Sequence, residues 1–202
     1  MSINLKKGQK IDLTKHDAGL RSVMVGLGWD EAQRGGGFFG LRQAKPIDCD
    51  ASVILCGADG KVVDRNDIKK SCVYFGNLRH ESGAIVHQGD NLTGAGEGDD
   101  EQIMIDLRKV PQNIGKMVFV VNIYDANKKN QHFGMIQNAF IRLVNRAKGE
   151  ELCRFDLSED YSGMTGLVVG ELYRRNGEWK FNAIGQPVRE ASRLMSLVNM
   201  YV

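Results

Sequence analysis

The residues best suited to chemistry are the carboxylates of one short run, Gly89–Glu101, which reads GDNLTGAGEGDDE. Asp90, Glu97, Asp99, Asp100 and Glu101 fall within it, and no Lys or Arg occurs from His80 to Ile105. Carboxylates this crowded repel one another, so they must hold protons or find a cation. Gly89, Gly94, Gly96 and Gly98 are interspersed with them. Glycine lets the backbone turn tightly. Carboxylates, the Asn91 amide and backbone carbonyls form the oxygen donor set that Ca²⁺ takes. The run is not an EF-hand. Asp90 and Glu101 occupy positions 1 and 12 of such a loop, but Leu92, Gly94 and Ala95 stand at 3, 5 and 6, so the middle ligands are missing. An acidic, Gly-rich run can also be a solvated loop. Here the flanks pin it at both ends. Ala84–Val86 leads in as an apolar run, and Ile103, Ile105 and Leu107 lead out in strand alternation.

A second chemistry is open to the histidines. His80 and His87 flank the loop and His132 lies further on, so a histidine–carboxylate set could bind zinc or activate water. No H-E-x-x-H, G-x-S-x-G or Walker loop accompanies them. The four cysteines, Cys49, Cys56, Cys72 and Cys153, form no C-x-x-C pair. They sit in apolar runs and read as buried reduced thiols, which makes a poor reductase. The net charge of +2 implies no general field for nucleic acid, although the centre is acidic and Arg142–Lys148 and Arg174–Lys180 are basic. The N-terminus carries no signal-like apolar segment and no stretch reaches membrane-span length. A cytoplasmic protein is expected.

The elements that must position these residues are strands. Arg21–Trp29 alternates, with Val23, Val25, Leu27 and Trp29 on one face, and Asp30 ends it. In Ile47–Gly57 the pleat places Asp48, Asp50, Ser52, Ile54 and Cys56 on one face and Cys49, Ala51, Val53 and Leu55 on the other. Asp59-Gly60 predicts a hairpin with Lys61–Asp64 as the return strand. Ile3–Leu5 and Gln9–Leu13 read as an N-terminal hairpin about Lys7-Gly8. Short strands are expected at Ser71–Phe75 and Ala84–His87, then Gln102–Arg108. The nearly all-apolar Lys116–Tyr124 is expected to be central. Asp125–His132 is polar, and a helical turn is expected at Gly134–Gln137. Ala139–Asn145, Glu151–Leu157, Met164–Arg174 and Glu178–Ile184 follow as strands, the last two joined by the type I′ turn signal Asn176-Gly177. Val188–Tyr201 has a helical period, with Ala191, Leu194, Met195, Val198 and Tyr201 on one face. About ten strands and a C-terminal helix, in a single domain spanning 1–202, make an all-β sandwich.

Several stretches taken together resemble one family. VGLGWD (Val25–Asp30), IDCDAS (Ile47–Ser52), the acidic run, NAFIRLVN (Asn138–Asn145), FDLSED (Phe155–Asp160) and GELYRRNGEWKFNAIGQ (Gly170–Gln186) are similar, in this order, to the TerD family of tellurium-resistance and general stress proteins. The resemblance spans essentially the whole chain. It implies a β-sandwich that binds Ca²⁺ at loops on one end of the sheets, in a bacterial cytoplasmic protein of the tellurite and chemical-damage response. Ile47 and Cys49 stand where the family usually has Phe and Leu. The tail after Gln186 also departs from the family's glycine-aromatic continuation, which leaves the C-terminus outside the inference.

On this reading Asp48 and Asp50 meet the acidic loop in space. Asp90, Asn91, Asp99, Asp100 and Glu101 supply further oxygens, the Leu92 and Gly98 carbonyls fill gaps, and Asp30 joins from a neighbouring strand. Each has a plainer reading. Asp48 guards a strand edge, Asp30 caps a turn, and Asp156 and Asp160 are solvated turn residues. Trp29 and Trp179 are core. Three functions compete. The first is a non-enzymatic calcium module whose ordered loops dock other stress-resistance proteins or the inner face of the membrane. The second is a metal-dependent hydrolase using His80, His87 and the loop. The third is an oligomeric scaffold joined through a C-terminal helix that exposes Met195, Leu197, Val198 and Met200.

Overall fold

Among the described residues, alternating apolar residues punctuated by turns become twelve strands. The computed structural model describes residues 2–31, 46–89 and 98–202. In chain order the strands are β1 Ile3–Leu5, β2 Lys10–Asp12, β3 Ser22–Glu31, β4 Cys49–Cys56, β5 Cys72–Val73 and β6 Ile85–His87. They continue as β7 Glu101–Asp106, β8 Lys116–Ile123, β9 Ile136–Asn145, β10 Glu150–Asp156, β11 Gly166–Arg175 and β12 Glu178–Val188. Four short helices intervene: α1 Leu13–His16, α2 Ile68–Ser71, α3 Ala126–Lys129 and α4 Leu194–Val198.

The strands form two six-stranded sheets. The first has the order β1-β10-β9-β3-β7-β6 and the second β2-β12-β11-β8-β4-β5. The main core lies between them. Val23, Val25, Leu27 and Trp29 of β3 face Cys49, Ala51, Val53 and Leu55 of β4 across it, all buried. The other face of β4 is also covered. Ile54 and Cys56 join Val118, Val120 and Val168 in a second cluster, closed from outside by Ala191, Leu197 and Val198 of the C-terminal segment. A sheet buried on both faces explains why β8 reads as a continuous apolar run. β8 is central as expected, with β4 on one side and β11 on the other.

Four expectations are corrected. Ile3–Leu5 and Gln9–Leu13 do not pair with each other: β1 runs parallel to β10 in the first sheet, and β2 pairs with β12 in the second. The turn at Gly8 is real, with φ 79°, but it carries the chain from one sheet to the other. Lys61–Asp64 makes only a bridge, Cys56 to Val62, because β5 pairs with β4 at Val53 and Ile54. The helical turn expected at Gly134–Gln137 ends early: a 3₁₀ turn spans Phe133–Met135 and β9 begins at Ile136. Finally, the long C-terminal helix is short. β12 runs to Val188, and only Leu194–Val198 is α-helical, followed by a 3₁₀ turn at Asn199–Tyr201. Leu197 and Val198 are buried in their own chain, whereas Met195 and Met200 are exposed. The Asn176-Gly177 hairpin is as expected, with φ of 54° and 78° at the two residues and Arg175 paired with Glu178.

Candidate functional site

The acidic run connects β6 to β7, which pair antiparallel with His87 opposite Ile103. The stem closes at Gln88, whose N–H donates to the Gln102 carbonyl. The returning end is sewn to β3: the Asp100 N–H donates to the Leu27 carbonyl at 2.8 Å, and the Trp29 N–H donates to Asp100 Oδ2 at 2.7 Å. Of the expected ligands, Asp90, Asn91 and Leu92 lie outside the described residues.

The remaining expected ligands divide into two groups. Asp50, Glu101, Asp48 and Asp100 all bear electrostatically on the fully buried Cys49 thiol. Burial first, and these four carboxylates after it, push that thiol well above its ordinary range. They come from both sheets: Asp50 on β4 and Asp48 just before it, Glu101 on β7 and Asp100 just before it. Asp100 is itself pushed above the usual carboxylate range, chiefly by desolvation and then by Asp30 and Asp99, while its bond from Trp29 N–H pulls it down. A cation would relieve this crowding. The donors are all oxygen, which fits a hard ion rather than zinc. Among the described residues no three His, Cys, Asp or Glu side chains are grouped closely enough to hold a metal by themselves.

Asp99 and Asp30 are engaged elsewhere. Asp99 turns onto the outer face of the first sheet, where Arg142 holds it through two bonds of 2.7 and 2.9 Å and Gln102 adds a third at 3.0 Å. Its carboxylate occupies the space where a Cβ would stand at Gly26, so only glycine fits there. Asp30 is exposed and accepts from Asn138 Nδ2 at 2.8 Å. Gly98 is exposed, with φ 105°.

Glu101 and His87 form a tie between the sheets. Ala51 lies on β4 beyond the reach of short β5, so its backbone edge needs other partners. Its N–H donates to Glu101 Oε2 at 2.6 Å, and its carbonyl lies 3.2 Å from His87 Nε2. Gly89 N–H donates to His87 Nδ1 at 3.1 Å. Nδ1 therefore accepts and Nε2 carries the proton, shared between the Ala51 carbonyl and Glu101 Oε2 at 3.4 Å. Two side chains of the first sheet thus stand in for a missing neighbour strand of the second. The two histidines do not face a common centre through open nitrogens. His80 is buried, its Nδ1 bonded to Ser82 Oγ at 2.8 Å, and burial lowers its pKa. This tie is illegible in sequence, because the pairing of His87 with Ala51 depends on how the two sheets meet.

Asp48 lies near Lys129 of α3, 3.6 Å from its Nζ. Asp50 is 4% exposed and pairs across the strands with Asn122, whose Nδ2 donates to Asp50 Oδ2 at 3.3 Å. Asn122 was not among the residues expected at the site; its neighbours in the apolar run of β8 mask it.

A family model described as the TerD domain matches residues 1–201. Stress response protein SCP2 of Bacillus subtilis (strain 168) is 54% identical over 205 residues, covering 100% of both chains. Tellurium resistance protein TerD of Serratia marcescens is 44% identical over 186 residues, covering 92% of this chain and 91% of that one. Among solved structures, a homologue of telluride resistance protein (TerD) from Streptomyces coelicolor A3(2) aligns with a TM-score of 0.65. It covers 91% of this chain and 99% of that one at 21% identity, and so speaks for the fold alone.

Proposed function

The chain belongs to the TerD family of tellurium-resistance and general stress proteins, and from that premise we propose that it is a calcium-binding, non-enzymatic module of the stress response. The observation that supports this most is that Asp48, Asp50, Asp100 and Glu101, from both sheets, all add to the negative potential at Cys49 near the base of the acidic run. Carboxylates whose negative potentials overlap disfavour one another's ionised forms, and a cation bound among them relieves that cost. Asp48, Asp50 and Asp100 would hold the ion, with Asp90, Asn91 and the Leu92 and Gly98 carbonyls completing its oxygen shell. Glu101 would orient the site through its bond to Ala51. When bound, the ion supplies positive charge and fixes the loop; the ordered loop then docks another stress-resistance protein.

A non-enzymatic role draws support from His87, whose two ring nitrogens are taken by backbone groups of Ala51 and Gly89 and by Glu101. The relatives, too, are named for resistance and stress response rather than for a reaction. A reducing, cytoplasmic location suits four free, buried thiols.

The test is a calorimetric titration of chelator-stripped protein with Ca²⁺, Mg²⁺ and Zn²⁺. Saturable Ca²⁺ binding that Mg²⁺ does not imitate is expected, lost in Asp50→Asn and Asp100→Asn. Heat from Zn²⁺ alone, or Ca²⁺ binding unchanged in both variants, would overturn the assignment.

A further inference from the structure

The outer face of the second sheet carries a cavity that calcium binding does not explain. It has a volume of about 510 Å³. Its floor is polar and comes from the two most buried strands, Asp50 and Ser52 of β4 and Asn122 of β8. Such residues are rarely found at the centre of a sheet without partners. Ser52 is 1% exposed and Asn122 2% exposed, yet Ser52 Oγ and Asn122 Oδ1 have no hydrogen-bond partner among the described residues. The Asn122 amide cannot turn to help itself. A carboxylate only accepts, so the Nδ2 group must face Asp50 Oδ2, and Oδ1 is left as an acceptor. A buried polar atom left in this state has lost its water and gained nothing in return.

The walls are of a different character. Tyr74, Phe75 and Tyr124 line the opening, and Phe75 and Tyr124 are 47% and 43% exposed. Large aromatic rings standing in water around a polar floor make a binding surface rather than a core. Arg193 also lines the cavity and makes no ion pair among the described residues. Lys128 nearby is paired with Asp125 at 3.1 Å.

We propose that this cavity binds a small primary amine with a flat apolar body and an anionic group at its far end. A primary ammonium has three N–H donors and a positive charge. The floor presents matching chemistry: the Asn122 carbonyl oxygen, the Ser52 hydroxyl and the negative charge of Asp50. Aromatic rings attract a cation through their faces and pack a flat body through their area. Arg193 at the opening then takes the anion. A simple anion would meet Asp50 on the floor and be repelled, and a wholly apolar ligand would leave both buried oxygens unpaired. Asp50 is shared with the proposed calcium site, so the probes are titrated into chelator-stripped protein. The proposal rests on the buried Ser52 and Asn122 oxygens, and its failure leaves the calcium reading untouched.

The probes are 4-(2-aminoethyl)benzoate, phenethylamine and 4-ethylbenzoate, titrated into the full chain by calorimetry or ligand-observed NMR. The aminobenzoate should bind best, phenethylamine more weakly, and 4-ethylbenzoate without saturation. Arg193→Gln lies on the surface and leaves the fold alone. It should weaken the aminobenzoate about tenfold, close to 1.4 kcal/mol, and leave phenethylamine unchanged. Ser52→Ala should weaken both amines in a protein whose circular dichroism matches the parent and whose denaturation midpoint is no lower, since the hydroxyl removed had no partner among the described residues. Absence of saturation by either amine up to about ten millimolar, or binding of 4-ethylbenzoate as tight as that of its amino counterpart, would overturn the proposal. Equal phenethylamine affinity in the folded Ser52→Ala protein would also overturn it.

Discussion

At the scale of single residues, the decisive contacts join side chains to backbone across the gap between sheets. His87 gives its Nε2–H to the Ala51 carbonyl and Glu101 Oε2, in a place where neither can reach water. Replacing His87 by alanine strands the Ala51 carbonyl, while Glu101 Oε2 keeps the Ala51 N–H, and a stranded buried acceptor costs about 1–3 kcal/mol. Urea denaturation of His87→Ala should show an unfolding free energy lower by that amount, with a lower midpoint at unchanged slope; an unchanged midpoint would mean that water replaces the ring at no cost. Asp100 acts in the opposite sense. Its pKa in the folded state is raised, chiefly by desolvation. Its contribution to stability is therefore present at pH below the unfolded carboxylate value, and is lost as pH rises through the folded one. In metal-free protein at neutral pH, Asp100→Asn should raise the denaturation midpoint while abolishing calcium binding, and the gain should vanish near pH 3 where the native carboxyl is protonated. An apo variant less stable than the parent at neutral pH would contradict the crowding argument. The pleat of Ile47–Gly57 made the shared face of Asp50 and Ser52 legible, since period two is local. The diversion of Asp99 to Arg142 was not legible. It depends on β7 and β9 both flanking β3, a fact of topology carried by no short run of sequence.

At the scale of elements, the second sheet is more deeply enclosed than the first. Its outer face meets Ala191, Leu197 and Val198, so the C-terminal segment is a structural lid and not an appendage. Leu197 is fully buried. Truncation to alanine opens a cavity between α4 and the Val118, Val120 and Val168 surface, and such changes cost about 2–5 kcal/mol. Leu197→Ala should lower the thermal midpoint accordingly, whereas Met195→Ala, at an exposed position, should stay within about 0.5 kcal/mol of the parent. Equal effects would place the lid's packing elsewhere. The helical period of Val188–Tyr201 overstated this element because its apolar spacing served two needs. Gln186–Val188 were required to continue β12 opposite β11, and Ala191 to pack against Gly166, where a side chain of any size would collide. The N-terminal strands were misread for a similar reason. Two short strands about a glycine turn satisfy the hairpin pattern, yet β10 and β12 each had an open edge, and pairing with those edges won.

At the scale of the whole molecule, the question is what holds two sheets in register at the end where the acidic run departs. The main core supplies non-directional burial, and a sandwich held by burial alone can slide. Direction comes from the His87–Glu101–Ala51 tie and, in the proposed holo form, from an ion bound jointly by residues at the start of β4 and before β7. An ion that contacts both sheets binds only the folded arrangement, because unfolding scatters its ligands over more than fifty residues of chain. Mass action then sets the size of the effect. At free calcium a hundredfold above the dissociation constant, stabilisation is about 2.7 kcal/mol. For a chain of this length each kcal/mol moves the melting midpoint by about 2–4 °C, so a rise of roughly 5–11 °C is expected. Magnesium at equal concentration should give little, since it demands small, near-octahedral geometry and parts reluctantly with its water. Asp50→Asn removes one of the ligands at β4 of the second sheet, and Asp100→Asn one from the acidic run before β7 of the first. If the ion ties the sheets together, either substitution alone should erase the rise. If only Asp100→Asn erased it, the ion would belong to the acidic run by itself, and the end of the sandwich would be held by His87 and Glu101 without it.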